Sequence, residues 1–155
     1  MPTAAAAFPL FLLACSVPEP QPPEITVADG WTRQVAPGHS MAAVYVTIVN
    51  SGDGEDRLVG ADTRSAVSAT LHTSSNARGV ARMRALEDGL PIPARSKVEL
   101  RPGGNHIMLD GFKQTLDSGQ TIDLNLHLAR SGPRSVAVRI VPASSTGPGD
   151  HGMHR

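Results

Sequence analysis

Thr121-Ile122-Asp123-Leu124-Asn125-Leu126-His127-Leu128 alternates polar and apolar residues without a break. Successive side chains of a strand point to opposite faces, so this stretch predicts a strand that buries Ile122, Leu124, Leu126 and Leu128 and turns Thr121, Asp123, Asn125 and His127 outward. The same period of two recurs on both sides of it. Residues 135–141 place Val136, Val138 and Ile140 inward against Arg139, and residues 97–101 carry Val98 and Leu100. Residues 66–73 place Val67, Ala69 and Leu71 inward, with Ser68, Thr70 and His72 outward; residues 41–49 line up Ala42, Val44, Val46 and Ile48. Shorter candidates lie at 25–33, 56–61 and 80–86, and Gly, Pro, Asn and Asp clusters at 36–38, 50–54, 102–105 and 131–133 separate them. No stretch carries a convincing helical period. About eight short strands with one apolar face each read as an all-β fold, an antiparallel Greek-key β-sandwich. Trp31 is the expected large core anchor, and Tyr45 is expected to cover a sheet edge.

The 155-residue chain is long enough for one domain with a real core. Its 14 basic and 14 acidic residues balance, and aromatics make up only 3%. A nucleic-acid partner normally requires a basic face, and single strands also require stacking platforms, so that class is not expected. The single cysteine, Cys15, excludes an intrachain disulfide and any site built on two thiolates.

Residues 4–14 form an apolar run too short to span a bilayer and suited to the core of a signal peptide. It closes on Leu12-Leu13-Ala14-Cys15, which resembles the bacterial lipobox, in which the cysteine is lipidated. Residues 1–14 are therefore expected to be a signal peptide, and Cys15 a lipid anchor on an extracytoplasmic protein. Four prolines within residues 16–24 favour extended backbone, so 15–24 is expected to be a semi-rigid spacer. The folded domain is expected over 25–141 and a disordered tail over 142–155.

Candidate chemistry centres on Pro102-Gly103-Gly104-Asn105-His106-Ile107-Met108-Leu109-Asp110-Gly111. A Pro-Gly-Gly turn feeds a short strand on which Ile107 and Leu109 face the core while His106 and Met108 face the other way. On its own a His-x-Met pair is more often a packed Met beside a hydrogen-bonded His. Two further residues change the balance. His72 lies on the polar face of its strand, and Met83 sits among charges in Ala81-Arg82-Met83-Arg84, with no evident core to fill. Thioether and imidazole are neutral soft and borderline donors, which favour Cu(I) over Zn(II), Mg(II) or Ca(II). Outside the cytoplasm, methionine also avoids the oxidation to which exposed thiolates are prone.

The run is His72, ten residues, Met83, twenty-two residues, His106, one residue, Met108. Together with Leu71-His72 and Pro102-Gly103-Gly104-x-His106-x-Met108-Leu109, it resembles the periplasmic copper chaperone family PCu(A)C. The resemblance extends from Trp31-x-Arg33 through Ala43-Val44-Tyr45 and Asn50 to the strand near Val141. It implies a cupredoxin-like sandwich binding one Cu(I) near its surface through His72, Met83, His106 and Met108. It further implies an expected monomer that delivers copper to an acceptor, either the binuclear copper site of cytochrome c oxidase or a thiol-containing copper chaperone.

Other histidines and methionines are weighed separately. His127 is expected to be a solvated surface residue. His39-Ser40-Met41 repeats the His-x-Met spacing in a loop entering a strand, where chance matches are common. His151, Met153 and His154 in the tail would hold copper only weakly, since a flexible segment must be ordered first. Asp110 reads as turn chemistry or as an acceptor for an imidazole N–H. A blue-copper carrier requires a Cys thiolate within the domain, and none is available. No Gly-x-Ser-x-Gly elbow or three-histidine cluster suggests an enzyme. General copper storage, or a β-sandwich module without metal, remain as rival functions.

Overall fold

The computed structural model describes residues 21–112 and 114–147. The signal-peptide segment, Cys15 and the His151/Met153/His154 tail lie outside these. Ten strands follow one another: β1 (Ile25–Arg33), β2 (Met41–Asn50), β3 (Asp56–Asp62), β4 (Ser68–Ala77), β5 (Val80–Ala85), β6 (Leu90–Ile92), β7 (Ser96–Glu99), β8 (Asn105–Asp110), β9 (Thr121–Leu128) and β10 (Gly132–Val141). No helix interrupts them among the described residues. The short β6, Leu90-Pro91-Ile92, carries too little alternation to be read from sequence.

Hydrogen bonding runs in the order β5-β4-β8-β2-β1-β10-β9-β3-β6, with β7 joining β2 beyond the end of β8. All pairs are antiparallel except β1 with β10. The path folds over on itself, so that Val44, Val46, Leu71, Ile107 and Leu109 from one half meet Leu58, Leu124, Leu126, Val138 and Ile140 from the other in a single core cluster. The alternation of 121–128 is realised in full, with all four apolar residues buried.

Two side chains depart from the alternation. Val67 is 79% exposed, because β4 starts only at Ser68. Residue 67 instead belongs to the turn where its N–H meets the carbonyls of Asp110 and Gly111 at 3.0 and 3.1 Å, and Ala66 is buried in its place. Trp31 is buried, but not in the main core: it packs with Tyr45, Val141 and Ala43 on the opposite face of the sheet. The cause is a β-bulge. Val27 pairs with Ile48 in register, but beyond Ala28 the pairing slips by one residue, so Trp31 faces Tyr45 and Thr32 faces Val44. Asp29 takes a positive φ of 53° there, and Gly30 leaves room for the Ala137 carbonyl oxygen, 2.7 Å from where a Cβ would stand. An inserted residue reverses the facing of everything after it. Thr32 consequently enters the core, fully buried, with its hydroxyl donating to the Ala43 carbonyl at 2.9 Å.

Candidate metal centre

The outer face of β4 and β8 carries the predicted donors. β4 and β8 pair antiparallel with His72 directly opposite His106 and Thr70 opposite Met108. Opposed residues in such a ladder share a face, so His72, His106 and Met108 occupy adjoining positions on one patch. Ile107 and Leu109, in alternation, are fully buried in the core beneath. β5 adds Met83 from the edge: it pairs with Ser74, while His72 pairs with Ala85. Met83 is therefore a diagonal neighbour of His72, and Met108 is another. His72 is the shared neighbour of all three; Met83 and Met108 do not adjoin each other.

The two imidazoles stack, with ring centroids 5.9 Å apart and planes inclined by 30°. His106 is buried, at 4% exposure. Its Nδ1 lies 3.1 Å from the Gly104 carbonyl oxygen, which can only accept, so Nδ1 carries the proton and Nε2 keeps its lone pair. In His72, Nε2 lies 2.9 Å from the Thr70 hydroxyl. His72 Nδ1 is buried and has no hydrogen-bond partner among the described residues. A buried polar atom without a partner costs about 1–3 kcal/mol, so this nitrogen has an unused hydrogen-bonding position on the face of the sheet.

Beyond His106, Tyr45 continues the row at 6.5 Å between centroids, and Trp31 follows at 4.5 Å from Tyr45. The Arg33 guanidinium lies over the Trp31 ring at 5.8 Å and donates to the Ser145 carbonyl. The chain thus stays packed past Val141 as far as Ser145, which is buried. Burial pushes the Tyr45 phenol above its usual range, against the opposing pull of Arg33. Met83, on the other flank, is 53% exposed on an edge strand whose six residues are all exposed. The set therefore has a buried side at His106 and an open side at Met83.

Sequence reasoning did not find Thr70, the Gly104 carbonyl or Tyr45 as neighbours of the imidazoles. Thr70 could have been found, since it lies two positions before His72 and so on the same strand face. Asp110 makes a turn contact, accepting the Gly111 N–H at 2.8 Å, and touches neither imidazole. His127 is exposed but not simply solvated: its Nε2 meets Asp62 Oδ2 at 2.5 Å, and hydrogen bonds from Asn125 and then His127 hold the Asp62 carboxyl below its usual range. No group of three or more His, Cys, Asp or Glu residues comes together among the described residues.

A family model described as "Putative lipoprotein LpqE-like" matches residues 25–140. The chain is 34% identical over 146 residues to "Putative lipoprotein Lxx21020" of Leifsonia xyli subsp. xyli, covering 89% of this chain and 87% of that protein. Among solved structures, Cu(I)-bound DR1885 of Deinococcus radiodurans is 32% identical, with a TM-score of 0.61 over 76% of this chain and 78% of that one. The copper-bound PCuAC domain of PmoF2 superposes with a TM-score of 0.64 at 24% identity, over 76% and 92% of the two chains, and supports the fold alone. With these neighbours the architecture is a cupredoxin-like β fold.

Proposed function

Because the chain belongs to the LpqE-like lipoprotein family, we propose that it is a lipid-anchored extracytoplasmic copper chaperone that holds one Cu(I) through His72, Met83, His106 and Met108. The observation that carries this is the opposed His72–His106 pair, with His72 Nδ1 unbonded and Met108 and Met83 on the same face. The likeness to the Cu(I)-bound form of DR1885 supports it. Four neutral donors hold the ion without the added attraction of a thiolate, so transfer to a thiolate-rich acceptor is downhill. The role is carriage rather than catalysis. We assign delivery to the binuclear copper site of cytochrome c oxidase, directly or through a thiol-containing chaperone. We further propose that the carrier acts as a monomer anchored at Cys15.

Competition with a Cu(I) chelator tests the donor set. Met83→Leu retains volume and apolarity, so stability should change by less than ~1.5 kcal/mol. Its Cu(I) affinity should nevertheless fall at least about tenfold, equivalent to roughly 1.4 kcal/mol. His106→Ala should lower affinity further, by removing one of two nitrogen donors. Unchanged affinity in both variants would place copper elsewhere on the molecule.

A further inference from the structure

The second His-x-Met pair opens β2 on the face that carries the first. Met41 pairs with Asp110 and Ala43 with Met108, so Met41 stands one diagonal step along the ladder from Met108. Diagonal neighbours on one face lie roughly 7–8 Å apart, within reach of long side chains. Met41 is 54% exposed and belongs to neither core cluster, so packing does not account for it. His39 is also exposed, on a turn closed by its N–H donating to the Ala36 carbonyl at 3.1 Å. Both residues line one groove of about 320 Å³ with Thr32, Ala43 and Tyr45, and Tyr45 is the ring beside His106. The soft donors thus form a stripe that crosses four strands, from Met83 on β5 to Met41 on β2.

From this placement we propose that His39 and Met41 form a second, weaker Cu(I) station that exchanges the ion with Met108. The inference rests on the copper reading given above. In the exchange a Cu–S bond forms at Met41 as the Cu–S bond at Met108 breaks, and a Cu–N bond then forms at His39 as the bonds to His72, His106 and Met83 are released. The ion stays Cu(I), and with a neutral His39 imidazole no proton moves. Two donors bind less tightly than four, and His39 sits on a loop that must lose conformational freedom on ligation. An exposed thioether beside a half-buried one gives the ion a stepwise path between the His106 end of the site and the surface.

Full-length protein carrying ¹³C-methyl methionine, with each methyl assigned by a single Leu substitution, is titrated anaerobically with Cu(I). The Met83 and Met108 methyls should move over the first equivalent. The Met41 methyl and the His39 ring protons should move over a second event at least about tenfold weaker, and Met41→Leu should abolish that event at His39. A Met41 methyl that stays in place through two equivalents overturns the proposal, including the case in which the tail methyl of Met153 moves instead. Movement of Met41 together with Met83 and Met108 over the first equivalent overturns it as well, since there is then no separate station. Immobile Met83 and Met108 methyls would sink the primary donor set and with it the exchange with Met108, a failure told apart from that of the second station alone by whether the Met41 methyl still moves.

Discussion

Thr70 acts through His72. Its hydroxyl holds His72 Nε2 at 2.9 Å; in the tautomer whose Nε2–H donates to that hydroxyl, the unbonded lone pair falls on the buried Nδ1. The Gly104 carbonyl does the converse at His106, holding Nδ1–H and leaving Nε2 free. Partners of this kind set the tautomer and orientation of a ligating imidazole, and losing one typically weakens metal binding by about 10–100-fold. Thr70→Val keeps the shape and removes the hydroxyl at an exposed position, so the fold should be disturbed by less than about 0.5 kcal/mol. Cu(I) affinity should drop by about tenfold, measured by chelator competition. An unaltered affinity would show that the ring is positioned by stacking on His106 rather than by Thr70.

At the scale of elements, the β4–β5 hairpin presents the open side of the site. β5 bonds only to β4, and β8 pairs along β4 no further than Thr73. The hairpin turn places Arg78 and Gly79 at positive φ of 55° and 79°, the pattern of a two-residue primed turn. An edge strand with all six residues exposed opens locally at low free energy. Amide exchange should therefore be faster in β5 than in β8, and Cu(I) should slow it around Met83. If exchange in β5 is the same with and without Cu(I), Met83 does not close on the ion.

A second element-scale device sits at the far side of the sandwich. Asp56, at the start of β3, accepts N–H groups from Arg57, Arg130 and Ser131 at 2.7–2.9 Å. Burial alone would raise its pKa, but the hydrogen bonds from Ser131, Arg130 and Arg57 outweigh that and hold the carboxyl below its usual value. A folded value below the unfolded one, about 3.9, means that the contribution is complete above that range and is lost as pH falls through the folded value. Asp56→Asn should cost about 1–3 kcal/mol at pH 7. Urea unfolding should show the gap between wild type and variant narrowing by pH 3. A gap equally wide at both pH values would mean that shape rather than charge ties β3 to the β9–β10 turn.

At the scale of the whole molecule, the proposed anchor at Cys15 would join the candidate site's domain to the membrane through a proline-rich segment. Residues near its end are already docked: the Glu24 N–H donates to Asn50 Oδ1 at 3.1 Å, and the Pro22 carbonyl accepts the Gly54 N–H at 3.4 Å. Residues 22–24 are thus seated against the β2–β3 loop. Lipid labelling of wild type should be lost in Cys15→Ser. Equal labelling of both, or none in wild type, would remove the anchor from the account.

The sequence by itself determined the strands and their inward faces wherever a single period of two applied. Residues 121–128, 135–141 and 41–49 needed no context, because burial of one face leaves only one register acceptable. It also offered His72, Met83, His106 and Met108 as candidates, through donor chemistry and the resemblance of their spacing to the PCu(A)C family. Only the tertiary structure decided who stands beside whom. The bulge at Asp29-Gly30 sent Trp31 to the outer face and Thr32 into the core, through a register slip against β2 that the period of two does not show. Register between β4 and β8 set His72 against His106, and register between β2 and β8 brought Met41 beside Met108. These are long-range pairings fixed by packing of the shared core, and no local pattern within one strand encodes its partner's alignment.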